Sequence, residues 1–310
     1  YARRALTLIR RSDLMRVILT GGGGMLGIDC KTVLEKDHEV ISPEKKRVDI
    51  TSWDRCTEAL HKLDADVVVN CAGFNNVADC EQEDLCVSKI NVEGPRNLAQ
   101  CSGRYGYKIV HVSCYCVFDG AKIIPQPYFE DDPANPLSGY GKLKRDSEVA
   151  VRENAPYHAI VRTGWLYGRG GNNFVKYLIK HAIHEKGQHL KVSSDQMGSP
   201  TWSFRLANQI SEIIRTEGRG TYHASAEGYC SMYDFASHVL KYLGLKADLQ
   251  PVGGQSSPVK MPLNGILENR FLKKQGIHVM EDWAKDLDTF LSMYGEDLIR
   301  EAETQTEREC

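Results

Sequence analysis

Two side chains four residues apart, Tyr140 and Lys144, have the clearest chemical use in this sequence. Positions four apart on a helix share one face, so the two groups can act together. A free tyrosine hydroxyl has a pKa of about 10, and a neighbouring ammonium group is expected to lower it. The pair therefore predicts an acid–base catalyst, Tyr140, adjusted by Lys144. The same spacing also arises by chance, so it needs support from its surroundings.

Three glycines, Gly21, Gly24 and Gly27, follow a short apolar run from Val17 to Leu19. A strand, a glycine-rich turn and a helix in this order let the main chain approach a pyrophosphate at a helix N-terminus. Because four glycines stand in a row, an ordinary turn is the alternative interpretation. The stretch predicts a dinucleotide site if the strand–turn–helix context is present.

Charged residues follow the expected second strand, with Glu44 next to Lys45, Lys46 and Arg47. An acidic residue about 20 positions beyond the glycines binds a ribose 2′-hydroxyl, whereas basic residues accommodate a 2′-phosphate. Both kinds are present, so the sequence predicts NADPH or NADH as cofactor, with NADPH favoured. For Lys46 and Arg47 a solvated charged loop is the alternative.

Alternating strand and helix patterns must position these residues. Strands are expected at 38–41, 66–72, 108–113 and 158–162, and helices at 53–62 and 84–104. This alternation is typical of parallel β-α-β units and predicts an α/β fold with a Rossmann-type, doubly wound parallel sheet over residues 15–164. A smaller mixed α/β substrate domain is expected mainly over 165–290, with some elements returning to the main sheet. It would contain helices at 173–185, 203–216 and 231–243 and a short strand at 222–224. Residues 291–310 are expected to form a C-terminal helix or tail.

The composition excludes several classes of protein. The 310 residues carry 39 basic and 41 acidic side chains, which argues against a broad nucleic-acid-binding surface. No apolar run approaches the roughly 20 residues needed to cross a bilayer. The ten cysteines include no C-x-x-C pair and no zinc-type cluster, which favours a reducing cytoplasm and no metal site. His181 and His184 are interpreted as part of a polar helix face. Residues 1–14 are expected to be an extension outside the fold.

Eight motifs together resemble one family. They are TGGGGMLG at 20–27, VDIT at 48–51, VNCA at 69–72, VFDG at 117–120, NPL at 135–137, RTGWLYG at 162–168, GNNFVK at 171–176 and DQMGSPT at 195–201. With Tyr140 and Lys144, they resemble the extended short-chain dehydrogenases/reductases, and most closely the dTDP-4-dehydrorhamnose reductase family. The resemblance runs from Met15 to about Leu287.

The resemblance implies that NAD(P)H reduces the C4 keto group of a 4-keto-6-deoxy sugar nucleotide. Tyr140 would protonate the keto oxygen, and Lys144 would hold the cofactor ribose. Further cofactor contacts are expected from Gly21, Gly24, Met25, Leu26, Gly27, Glu44, Lys45, Asp49, Ile50, Cys71, Ala72 and Gly73. Substrate contacts are expected from Phe74, Tyr115, Trp165, Asn172, Asn173 and Phe174. For Trp165 a core position is the alternative. The expected partner is the small-molecule substrate, and a homodimer is left open.

Some positions depart from the family pattern. The residues from Ser113 to Cys116 stand where the family has Ser-Thr-Asp-Tyr, so Cys114 takes the place of the catalytic hydroxyl. A thiol is a weak hydrogen-bond donor, and Ser113 is expected to face away by strand alternation. Met261 replaces an arginine, and Arg205 replaces a helix-start aspartate.

These departures leave two function classes. The favoured one is the reductase, because a pure binding protein has no evident need for the Tyr140–Lys144 pair. The other is a weak or inactive cofactor- and sugar-nucleotide-binding protein on the same scaffold, like the regulatory subunit of methionine adenosyltransferase. A 4,6-dehydratase or epimerase is disfavoured by the DQMGSPT segment.

Overall fold

The computed structural model describes residues 14–82, 85–185, 187–253 and 259–305. Of the expected extension at 1–14, all but Leu14 lie outside the described residues, and Leu14 itself is exposed. The expected C-terminal segment 291–310 is described as far as residue 305.

The described residues contain twelve strands and ten α-helices, with short 3-10 helices at Asp79–Gln82 and Tyr115–Val117. The strands are β1 (Arg16–Thr20), β2 (Glu39–Ile41), β3 (Val67–Asn70), β4 (Lys108–Cys114), β5 (His158–Thr163), β6 (Leu166–Tyr167), β7 (His189–Ser193), β8 (Met197–Gly198), β9 (Thr201–Trp202), β10 (Gly220–His223), β11 (Cys230–Ser231) and β12 (Asp248–Val252). The helices are α1 (Met25–Leu34), α2 (Trp53–Leu63), α3 (Leu85–Ser88), α4 (Gly94–Tyr105), α5 (Gly139–Asn154), α6 (Phe174–His184), α7 (Ser203–Arg215), α8 (Met232–Leu243), α9 (Arg270–Lys274) and α10 (Trp283–Gln305).

A six-stranded parallel sheet forms the centre, in the order β10–β5–β4–β3–β1–β2. One face packs against α1 and α7, and the other packs against α2, α4 and α5. With both faces covered, its strands are continuous apolar runs, and all of β3 is buried. The predicted doubly wound α/β sheet is confirmed.

The strand register brings three chain segments to one edge of the sheet. Thr20 pairs with Asn70, and Asn70 pairs with His111, so β1 and β3 end side by side and β4 continues past them to Cys114. In parallel sheets, ligands bind beyond the carboxyl ends of the strands. The glycine turn, the loop after β3 and the end of β4 therefore share one side of the molecule.

The helix predicted at 84–104 is not continuous. A π-helical turn at Lys89–Glu93 separates α3 from α4, and residues 83 and 84 lie outside the described residues. The turn directs Asn91 inward, where its amide accepts from the Phe74 N–H at 2.7 Å and donates to the Phe74 carbonyl at 2.9 Å. Single π turns of this kind are frequent at functional sites. Helical periodicity alone could not predict it.

The C-terminal part is built on three helices, α6, α8 and α10, which share one apolar core. Asn173 caps α6, and Ser231 caps α8 in a reciprocal capping box with Asp234. The helix and strand predicted for the smaller domain at 203–216 and 222–224, α7 and β10, instead belong to the main sheet layer. The last helix begins at Trp283, well before the predicted 291. The division at 164/165 stays a prediction.

The interpretation of His181 as part of a polar helix face is wrong. His181 is buried on α6, with Nδ1 3.0 Å from a Glu185 carboxylate oxygen, whereas His184 contacts the Ala302 carbonyl at 2.9 Å. Within the described residues, no group of three or more metal-ligating side chains is close enough to hold an ion. Across the same residues, no helix is long and apolar enough to span a membrane.

Candidate active site

The glycine turn between β1 and α1 leaves no room for side chains at two positions. Gly21 has a φ of +72°, and a Cβ there would lie 2.5 Å from the Ala72 nitrogen. A Cβ on Gly27 would lie 2.2 Å from the Gly21 carbonyl oxygen. Glycine is therefore required for the left-handed turn and for the close contact of α1 with it.

The N-terminus of α1 is suited to bind a phosphate group. Gly24 is the N-cap, no side chain of the described residues caps the helix, and no acidic residue stands in its first turn. Met25 and Leu26 begin that turn, so their main-chain N–H groups lie among the donors that lack an intrahelical acceptor. Unpaired N–H groups and the helix dipole favour an anion here. The residues present fit a dinucleotide pyrophosphate.

The residues predicted near the adenosine lie beyond β2. Glu44 and Lys45 are exposed, whereas Ile50 is buried against the position of Gly94, where a Cβ would come within 2.6 Å of its Cδ1. Asp49 accepts a 2.7 Å hydrogen bond from the Thr51 hydroxyl and pairs with Arg55 at 3.2 Å. The Thr51 hydrogen bonds, aided by Arg55, lower the pKa of Asp49. This carboxylate is thus ionised and shapes the loop.

The loop after β3 is held from two directions. Asn70 accepts a hydrogen bond from the Ala72 nitrogen at 3.2 Å, and the Asn91 amide forms hydrogen bonds with both the N–H and the carbonyl of Phe74. Cys71 and Gly73 lie between these anchors. The predicted nicotinamide-side segment therefore has a defined position next to the glycine turn.

Tyr140 and Lys144 lie on α5, whose N-cap Ser138 accepts from the Gly141 nitrogen at 3.0 Å. The Lys144 ammonium donates to the Val112 carbonyl at 2.6 Å, and the Tyr140 hydroxyl donates to the Asn75 side-chain oxygen at 3.3 Å. Burial lowers the pKa of Lys144.

The expected lowering of the Tyr140 pKa by Lys144 is wrong for this structure. Burial raises the pKa of Tyr140 well above its ordinary value, and a hydrogen bond with Cys114 adds to the rise. The Lys144 ammonium donates to the Val112 carbonyl of β4, and burial outweighs the effect of its charge at Tyr140. Tyr140 therefore holds its proton, as an acid should before it acts.

Cys114 lies at the end of β4 and joins the pair. Burial opposes ionisation of its thiol, but a hydrogen bond with Cys116 and the charge of Lys144 outweigh it and lower the pKa of Cys114. The same hydrogen bond, together with burial, raises the pKa of Cys116. On the same strand, the Ser113 hydroxyl faces Glu148, in keeping with the expected orientation away from Tyr140. The ion pair with Arg162 at 2.8 Å is the main cause that lowers the pKa of Glu148 against the effect of burial.

Trp165 and Tyr115 are predicted substrate contacts beside this cluster. Trp165 has a φ of +47°, and a Cβ on Gly198 would lie 2.6 Å from its indole ring. Left-handed backbone at a bulky residue is costly and concentrates at functional sites. Tyr115 is buried, and a Cβ on either Gly164 or Gly265 would collide with its ring. Both aromatic side chains are therefore rigidly seated.

The predicted sugar-nucleotide segment at 172–174 lies beside the start of α1. Asn172 is exposed. The Asn173 amide donates to the Gly168 carbonyl at 2.8 Å and caps α6, so its polar atoms are used locally. The ring centroids of Phe174 and Phe235 are 5.8 Å apart in the C-terminal core, so Phe174 anchors the segment to that core.

The two other departures from the family pattern have visible surroundings. Arg205 on α7 forms a two-pronged ion pair with the buried Asp286 of α10, at 2.8 Å for its closest contact. Met261 packs against the apolar cluster that contains Cys114 and Phe118. Arg205 thus joins α7 to α10, and Met261 adds to the apolar cluster around Cys114.

Three polar residues near the site were not predicted as functional: Asn75, Asn91 and His111. Asn75 accepts from Tyr140, Asn91 fixes the loop after β3, and His111 is fully enclosed within β4. For His111 a signal was present, because a polar residue inside a continuous apolar strand needs a buried partner. Asn91 gave no comparable signal, since a polar residue in a helix is ordinarily solvated.

Comparison with known proteins agrees with this geometry. The family model described as RmlD substrate binding domain matches residues 15–295. Spore coat polysaccharide biosynthesis protein SpsK of Bacillus subtilis (strain 168) is 36% identical over 283 residues, covering 90% of this chain and 97% of that protein. The solved dTDP-4-dehydrorhamnose reductase of Clostridium acetobutylicum has a TM-score of 0.86 at 34% identity, covering 91% of this chain and 100% of that chain. The Bacillus anthracis dTDP-4-dehydrorhamnose reductase in complex with NADP has a TM-score of 0.85 at 32% identity, covering 90% and 99%. The chain belongs to the dTDP-4-dehydrorhamnose reductase family.

Proposed function

We propose that this protein is an NAD(P)H-dependent reductase that converts the C4 keto group of a 4-keto-6-deoxy sugar nucleotide to an alcohol. The observation that carries the proposal is the placement of Tyr140, Lys144 and Cys114 together, beside a glycine turn suited to a dinucleotide. NADPH is favoured as cofactor, because Lys45 and its basic neighbours lie exposed beyond β2, and a 32% identical relative binds NADP.

NAD(P)H held at the glycine turn would supply the hydride for the carbonyl carbon. Tyr140 donates its proton to the keto oxygen. Addition of one hydride and one proton converts the carbonyl group to a secondary alcohol. The ammonium of Lys144 stabilises the tyrosinate that remains until solvent returns a proton. Tyr140 carries its proton before this step, and because burial raises its pKa, the transfer depends on stabilisation of the tyrosinate by Lys144.

The substrate we propose is a dTDP-linked 4-keto-6-deoxyhexose of the dTDP-4-dehydrorhamnose type. Trp165 and Tyr115 give its sugar a rigid aromatic wall, and Phe74 closes the side next to the cofactor. Asn172 is the exposed polar group of the segment next to α1, placed for the nucleotide part. Aromatic faces suit a deoxyhexose because its 6-methyl side is apolar.

A second candidate is a weak or inactive binding protein on the same scaffold. The observation that favours it is Cys114, because a thiol is a weak hydrogen-bond donor where a hydroxyl is expected. The proposed setting for either function is the reducing cytoplasm, since the nine described cysteines are free thiols.

The deciding experiment incubates the protein with NADPH and a dTDP-4-keto-6-deoxyhexose and follows the loss of nicotinamide absorbance. We expect substrate-dependent oxidation and a 4-hydroxy product by NMR. Binding of NADPH and of dTDP-sugar without any oxidation would instead support the binding protein. Parallel reactions with NADH measure the cofactor preference.

A further inference from the structure

A buried chain of hydrogen bonds runs from the end of β1 to α5. It passes from Thr20 through Asn70, His111 and Ser147 to the main chain of Lys144. The distances are 2.7 Å for Thr20–Asn70, 3.1 Å for Asn70–His111, 2.9 Å for His111–Ser147 and 2.6 Å for Ser147–Lys144. It joins β1, β3, β4 and α5, the elements that carry the glycine turn and the proposed acid.

The direction of every bond follows from two main-chain groups. The Ala72 N–H can only donate, and it points at the Asn70 Oδ1, so the Asn70 NH₂ faces His111. At the other end, the Lys144 carbonyl can only accept, so the Ser147 hydroxyl donates to it. Ser147 must then accept from His111 Nε2–H, and His111 Nδ1 must accept from the Asn70 NH₂.

This arrangement allows His111 only one protonation state, the neutral ring with its proton on Nε2. A proton on Nδ1 would point at the donor group of Asn70, so neither the imidazolium nor the other neutral tautomer satisfies the chain. The surroundings agree, because burial and the charge of Lys144 hold the pKa of His111 well below its ordinary value.

We propose that His111, as its neutral Nε2–H tautomer, is a positioning residue that couples the cofactor-side loop to the helix turn bearing Lys144. Asn70 holds Ala72 at one end, and Ser147 holds the Lys144 turn at the other. The inference rests on the proposed function only in that Lys144 would hold the cofactor ribose. His111 itself is 1% exposed and contacts no reacting atom.

The tautomer is tested by NMR of protein labelled with ¹⁵N in histidine, with the His111 signals assigned by their loss in His111→Gln. We expect a neutral ring with the proton on Nε2 between about pH 6 and 8. Asn70→Asp replaces the NH₂ with an oxygen of similar size, so Nδ1 should gain a proton. Asn97→Asp changes another buried amide, which donates to the Ile50 carbonyl, and should leave His111 unchanged.

The coupling is tested by NADPH affinity in Ser147→Ala, measured by calorimetry. The matched control is Ser102→Ala, because Ser102 is also fully buried and also donates to a main-chain carbonyl, that of Tyr107, at 2.7 Å. We expect NADPH to bind about fivefold more weakly to Ser147→Ala than to Ser102→Ala, as loss of one net hydrogen bond implies.

A wild-type His111 with its proton on Nδ1 would overturn the proposal, and so would equal NADPH affinity in the two serine variants. Neither readout needs a sugar substrate. Failure of the reductase assay therefore leaves the positioning role standing, and failure of the positioning role leaves the reductase proposal standing.

Discussion

At the scale of single residues, the Tyr140 hydroxyl has two unlike neighbours. Asn75 accepts its hydrogen bond at 3.3 Å, and Cys114 provides a sulfur contact on the other side. Burial secures the proton on Tyr140 before reaction, but it also makes the tyrosinate that follows costly. Lys144 is the cation placed to reduce that cost, so the pair acts at the proton-transfer step.

We predict that Tyr140→Phe lowers kcat by at least about a hundredfold, the usual scale for loss of a positioned acid. The ring that packs on the Cys114 cluster is kept, so we expect NADPH to raise the thermal midpoint of the variant as much as that of the wild type. Steady-state kinetics with the dTDP-4-keto substrate and thermal shift measure both effects. Near wild-type turnover in the variant would remove Tyr140 from the role.

We predict that Cys114→Thr or Cys114→Ser raises kcat by about three- to thirtyfold, which corresponds to about 0.6–2 kcal/mol of recovered stabilisation. A hydroxyl donates to the oxygen that gains charge as hydride arrives, whereas the S–H group of the present thiol is a weak donor. Cys114→Ala should cost little. If both hydroxyl variants fold and turn over at the wild-type rate, the donor lies elsewhere.

At the scale of elements, the apolar runs and the glycine spacing were enough to predict the sheet and the turn. The strand β3 needed only its continuous buried run, since parallel strands covered on both faces read this way. The π-helical turn around Asn91 was not predictable, because its cause is a main-chain partner at Phe74, distant in sequence. The burial of His181 likewise depends on packing against the C-terminal helices.

At the same scale we predict that Gly27→Ala abolishes the thermal shift produced by NADPH. A Cβ there would lie 2.2 Å from the Gly21 carbonyl oxygen, so α1 must move away from the turn that receives the pyrophosphate. Gly23→Ala is the matched control, because a Cβ at that position meets nothing within 4 Å and its φ is not positive. An equal NADPH shift in both variants would contradict the assignment of the turn.

At the scale of the whole molecule, one ion pair links the main sheet layer to the C-terminal helices. Arg205 on α7 reaches Asp286 on α10, whose side chain is 1% exposed, across 81 residues of sequence. Spacing could not predict this contact, and Arg205 appeared only as an unexplained departure from its family. Its surroundings indicate that Arg205 joins α7, which packs on the main sheet, to the C-terminal core that contains α10.

We therefore predict that Arg205→Ala lowers the free energy of unfolding by about 2–3 kcal/mol, because it leaves the buried Asp286 without its cation. The value is set below that of a fully buried pair because the Arg205 side chain is partly exposed. Arg215→Ala on the same helix is the control: its partner Glu212 lies at the surface, so its loss should cost less than about 1 kcal/mol. Urea unfolding of the two variants measures the difference. The double variant Arg205→Ala/Asp286→Ala should recover part of the lost free energy of unfolding, because the buried carboxylate left without its cation is then removed as well. Equal stability of the two single variants would show that this ion pair does not hold the two parts of the molecule together.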